Sequence, residues 1–131
     1  MANLTIGAKG ERTVLVTSDI AISFLGLENA RVLSTPEMIR AMEQTCRDLV
    51  LPMLDAGHDT VGTHVNVAHL AAAPMGTAVR FEAEITGVLD GRRVQFRVAA
   101  IGEKDRIGEG THERTIINVA KFAAKMAAKK A

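Results

Sequence analysis

The chain has 131 residues with 47% hydrophobic and 24% charged side chains, a composition that fits one globular domain with a single moderate core. A formal net charge of +1, with cations and anions scattered along the chain, lacks the basic footprint of a nucleic-acid binder. Four Phe with no Trp or Tyr leave little from which to build a base-stacking platform, so the core must come from Val, Ile, Leu, Met and Ala.

The first strand is expected at 13–17, where β-branched residues cluster. Residues 18–33, broken by Gly26 and Asn29, read as a loop with room for a short helical turn. A helix begins near Ser34-Thr35-Pro36-Glu37, and either hydroxyl can cap it. Ser34 with Glu37 forms a capping box, while Thr35 precedes a proline suited to the first helical position. Met38, Met42, Thr45 and Leu49 recur at helical spacing, widened by Ile39 and Cys46, and Pro52 and Gly57 bound the end.

The second half reads as strands. Residues 60–71 alternate, with Val61, Val65, Val67 and His69 on one side and Gly62, His64, Asn66 and Ala68 on the other. In 77–89, Val79, Phe81, Ala83 and Ile85 oppose Arg80, Glu82 and Glu84. Asp90-Gly91 signals a tight hairpin. Val94, Phe96 and Val98 point inward from 93–101, a turn follows at 102–105, and a long strand covers about 107–119 before an Ala- and Lys-rich helical tail. One strand, one helix and four strands, with no βαβ alternation and no glycine-rich phosphate loop, predict an α+β domain. An antiparallel sheet of about five strands would wrap one long helix, the hotdog arrangement.

Five residues stand out chemically. Glu43 lies at the edge of the helix's apolar face; it fits an exposed acid paired with Arg40 and Arg47, or a nucleophile or general base. His69 ends an inward-facing row, as a hydrogen-bonded core residue or a proton carrier. Thr35 is a helix cap or a hydroxyl that orients a reacting group. Gly62 marks a bulge or a close backbone approach, and its N–H could hold an oxyanion. Arg114, beside His112 and Glu113, is a solvated sheet-edge cation or a phosphate ligand. His64 and His112 lack the spacing of a metal motif, Cys46 is the one cysteine, and no metal or cofactor is expected. No apolar run approaches the ~20 residues of a membrane span, and the first residues lack a leader pattern, so a cytoplasmic protein with no membrane partner is expected.

Taken together, TPEMIRAMEQTC at 35–46, TVGT at 60–63, VAHLAA at 67–72 and GEGTHER at 108–114 resemble the fluoroacetyl-CoA thioesterase-like family of hotdog thioesterases. The resemblance runs from the helix to Phe122. It implies a dimeric acyl-CoA thioesterase with active sites at the subunit interface. Thr35, Glu43 and His69 then correspond to the catalytic set, and Gly62 and Arg114 to substrate-binding positions. The segment 18–33 is shorter than the family's phenylalanine-bearing lid and holds one aromatic, Phe24, which implies a general short-chain acyl group rather than fluoroacetyl selectivity. Two rival readings of the same scaffold are a non-catalytic acyl-CoA sensor and a dehydratase acting on a hydroxyacyl thioester.

Overall fold

A computed structural model describes residues 3–24 and 26–131. Met1 and Ala2, where the leader reading begins, and Leu25 of the 18–33 segment lie outside the described residues. Strands β1 (Lys9–Leu15), β4 (His58–His69), β5 (Ala78–Leu89), β6 (Arg93–Ile101) and β7 (Arg106–Asn118) form a five-stranded antiparallel sheet in the order β1-β5-β6-β7-β4. Helix α1 (Thr35–Val50) packs across the concave face and runs on into a 3₁₀ turn, Leu51–Met53. This is the hotdog fold.

The alternation read from the sequence sets the core. Val79, Phe81, Ala83 and Ile85 from β5 and Val94, Phe96, Val98 and Ala100 from β6 are buried against Met38, Met42, Cys46 and Val50 of α1. Each fully buried Phe or Ile contributes about 1.5–3 kcal/mol from the area removed from water. Asp90 and Gly91 both take positive φ, 56° and 62°, and Arg92 N–H closes the β5–β6 hairpin on Leu89 O at 3.0 Å.

Two elements depart from the sequence reading. The first strand starts at Lys9, not 13, because its polar residues pair with β5 at the sheet margin. The 18–33 loop contains a short hairpin, β2 (Ala21–Ile22) with β3 (Val32–Leu33), around a 3₁₀ turn at Glu28–Ala30. Ser34 N–H to Ile20 O (3.1 Å) joins the N-cap of α1 to the entry of this hairpin, and Leu33 N–H to Ala73 O (2.9 Å) ties β3 to the segment between β4 and β5. The tail forms α2 (Val119–Lys130), capped by the Asn118 side chain on Lys121 N–H at 3.1 Å. Among the described residues, no helix is long and apolar enough to cross a membrane.

The feature that positions the site is a bulge in β4. Its register against β7 shifts between Gly62 and His64. Strict alternation would set Gly62 and His69 on opposite faces, as expected from the sequence. The extra residue turns the later part of the strand over, so that Gly62 lies under α1 and His69 also reaches α1. Strand β7 meets β4 at two glycines. A Cβ on Gly108 would stand 2.6 Å from Met38 Sδ and 2.9 Å from Ala68 O, and one on Gly110 would overlap the backbone of Asn66 and Val67. The spacing of GEGTHER therefore answers to close packing of these strands beneath the helix.

Candidate active site

Two adjacent hydroxyls divide the work at the start of α1. Ser34, with extended backbone angles, accepts a hydrogen bond from Glu37 N–H through Oγ at 3.4 Å and is the N-cap. Thr35 is the first helical residue, and its Oγ1 lies 2.7 Å from His69 Nδ1 at the end of β4. Either group can donate in that bond. The other ring nitrogen, His69 Nε2, is buried and has no hydrogen-bond partner among the described residues. A buried nitrogen without a partner is uncommon and calls for an explanation, a catalytic role among them.

Glu43 does not pair with its helical neighbours. Arg40 faces Glu37 at 3.9 Å, and Arg47 grips Asp59 with Nη2 at 2.6 Å. That grip holds the Asp59 carboxyl below its usual range and raises the Arg47 guanidinium above its own. The Glu43 carboxylate instead lies over Gly62, where a Cβ would stand only 2.5 Å from Glu43 Oε1. Oε1 is 3.9 Å from Arg114 Nη1 and 3.9 Å from His112 Nε2. With its side chain 37% exposed, Glu43 remains open on one side while a fixed cation stands behind it.

Arg114 corrects its bland reading. It is not a solvated sheet-edge cation: β7 lies between β6 and β4, and Arg114 is 6% exposed. Its Nε donates to Thr60 Oγ1 at 2.7 Å and its Nη2 to Thr60 O at 3.0 Å. Burial lowers the guanidinium from its ordinary value and Glu43 acts against that; arginine stays charged in any case. A guanidinium so enclosed cannot serve a solvated phosphate, yet Nη1, 3.5 Å from where a Gly62 Cβ would be, lines the small space beside Gly62.

Thr60 and His112 were not singled out for these roles. A signal existed: Gly108, Gly110, His112 and Arg114 share one parity on β7, which marks polar residues on the helix-facing side. Cys46, fully buried beneath the cluster, has its thiol pushed up to about 12 by burial, with Arg114 lowering it and Glu43 raising it. A protonated, inaccessible thiol is no nucleophile. The site therefore offers a carboxylate backed by a buried cation, a Thr–His pair, and exposed backbone at a bulged glycine.

The profile of the family described as fluoroacetyl-CoA-specific thioesterase matches residues 16–120. The chain belongs to the fluoroacetyl-CoA-specific thioesterase family. A fluoroacetyl-CoA thioesterase from Streptantibioticus cattleyicolor is 41% identical over 99 residues, covering 76% of this chain and 70% of that protein. The solved structure of a fluoroacetyl-CoA thioesterase superposes with a TM-score of 0.86 at 34% identity, covering 96% of this chain and 97% of the other. A thioesterase superfamily member from Thermus thermophilus gives 0.88 at 33% identity, covering 99% and 96%. A hot-dog-like protein from Thermanaerovibrio acidaminovorans, 21% identical with a TM-score of 0.85, shares the fold. Thr35, Glu43, His69, Gly62 and Arg114 all fall inside the matched residues.

Proposed function

We propose that the protein hydrolyses the thioester of a small acyl-CoA and works as a homodimer. The observation that carries this reading is the Glu43 carboxylate held over Gly62 by a buried Arg114. In this reading the acyl carbonyl sits against the Gly62 amide, with Arg114 Nη1 at the acyl end. Glu43 either attacks the carbonyl carbon or takes the proton from a water that does. The negative charge that builds on the carbonyl oxygen is met by the amide dipole. The C–S bond then breaks, CoA leaves as the thiolate, and His69, oriented by Thr35, delivers a proton to it. Where Glu43 attacks, water then hydrolyses the acyl–Glu43 anhydride and frees the carboxylate; on either route water supplies the oxygen of the product acid and the proton that restores His69, so no other co-reactant enters.

One protomer does not bring all of these groups to one carbonyl. Thr35 and Glu43 are eight residues apart on α1, a rise of about 12 Å. β4 is a sheet edge of 12 residues whose middle, from Gly62 to Asn66, is exposed, with Val65 40% accessible. An unpaired edge of that length is a template for another strand. A two-fold axis through β4 between Gly62 and His69 would pair this edge with itself and carry Glu43 of one protomer toward the Thr35–His69 pair of its partner.

Phe24, the one aromatic of the 18–33 segment, is 48% exposed, which supports a loosely covered acyl pocket and a general short-chain substrate over fluoroacetyl selectivity. The test is thiol release over a panel of acyl-CoA esters, including acetyl-, fluoroacetyl- and hydroxyacyl-CoA. Release by the wild type, lost in a folded Glu43→Gln variant, is the expected result. Binding without release would favour a sensor, and enoyl formation a dehydratase.

A further inference from the structure

His112 is fully buried in β7, 2% exposed, with its ring 6.1 Å from that of Phe96 and inclined by 26°. Both of its nitrogens are committed, and their partners define the tautomer. His112 Nδ1 lies 2.8 Å from the His64 carbonyl oxygen, which can only accept, so Nδ1 carries the proton. Nε2 lies 3.2 Å from Arg114 Nη1, which can only donate, so Nε2 presents its lone pair. The charged or titratable groups facing the ring are Glu43 from α1, His64 from β4 and Arg114 from β7 itself. Burial, with Arg114 adding to it, lowers the imidazole below its ordinary value and favours this neutral form.

We propose that His112 is a positioning residue for hydrolysis: its Nε2 lone pair fixes Arg114 Nη1, and so aims the guanidinium at the Glu43 carboxylate. The inference rests on the thioesterase reading. Thr60 holds the far side of the guanidinium through Nε and Nη2, and His112 holds Nη1, the nitrogen that faces Glu43. Without that acceptor Nη1 can turn away, and the carboxylate loses its fixed counter-charge. Protonation of the ring would do the same, since an imidazolium presents a second donor to a guanidinium.

Two substitutions separate this role from a structural one. Asn at 112 can keep the donor to His64 O and lacks an acceptor that reaches Arg114. Gln extends to the Nε2 position and can keep that acceptor at the expense of the donor. The expected result is that His112→Asn lowers kcat for acyl-CoA hydrolysis roughly ten- to hundredfold with KM little changed, and that His112→Gln retains most of it. A purely structural bond between β4 and β7 predicts the reverse order, with Asn the better replacement, and that order would overturn the proposal. Nitrogen NMR of the wild-type imidazole at neutral pH decides the case without any variant: a protonated Nδ1 with a bare Nε2 supports it, and a protonated Nε2 overturns it. Absence of turnover by the wild type on every acyl-CoA would instead remove the thioesterase reading, leaving the tautomer measurement to stand by itself.

Discussion

Thr35 and Glu43 lie on one helix, but in a single protomer each belongs to a different cluster. Thr35 bonds His69 at one end of β4, and Glu43 covers Gly62 near the middle of the same strand. If the two clusters meet only across a two-fold axis, defects in them complement. Mixing Thr35→Ala and Glu43→Gln proteins, each inactive alone, and allowing subunits to exchange should restore roughly a quarter of wild-type thiol release. Half of the dimers would be mixed, and each would own one intact site. No recovery after verified exchange would place the chemistry within one protomer.

Gly62→Ala tests the close approach beneath Glu43. The methyl group would meet Glu43 Oε1 at 2.5 Å and His112 Cε1 at 3.2 Å. The carboxylate ends a flexible side chain and can swing away at little cost to folding. Turnover should fall on the order of a hundredfold, the scale of a displacement of about 1 Å at a reacting group. The melting temperature should change little. A fully active variant would remove Gly62 from the site.

Cys46 should stay silent in the native protein. Its thiol is buried and pushed up to about 12, so its thiolate is scarce at neutral pH. A disulfide reagent should titrate no thiol until denaturant is added and one thereafter. Rapid reaction of the folded protein would contradict the packing of α1 on the sheet.

Stability should decline in mild acid through His112. Its folded-state value is lowered from 6.5, mainly by burial. Below 6.5 the unfolded chain takes up a proton that the folded chain refuses, so the contribution is complete above that pH and lost as pH falls below it. Urea midpoints measured between about pH 7.5 and 5.5 should decrease for the wild type, with a shallower slope for His112→Asn. Equal slopes would show that another group governs the change.

The legible parts of the sequence were those with local causes. Alternation in β5 and β6 marked their buried faces, and Asp90-Gly91 signalled the hairpin. The capping box favoured Ser34 and the following proline favoured Thr35; Ser34 is the cap, and the separate role of Thr35 was hidden because its partner, His69, is 34 residues away. The burial of Arg114 was hidden for a related reason. A cation on a strand reads as solvated, and only its tertiary partners Thr60, His112 and Glu43 make the interior position tolerable. Gly62 did signal the bulge in β4 locally, but the edge position of that strand depends on strand order, which no local pattern encodes.

The bulge in β4 turns a counting problem into a diagnostic. Seven positions separate Gly62 from His69, an odd interval that in an unbroken pleat would send the two side-chain directions apart. Removing Thr63 would make the interval even and take the bulge with it, and a regular pleat would then still set Gly62 and His69 on one face; replacing the bulge by regular pairing at the present length would instead rotate His69 out toward solvent and leave Thr35 without its partner. An odd Gly–His interval is thus a spacing rule for recognising this site in a bare sequence. A relative with an even interval would need no bulge, or would have lost the pairing altogether.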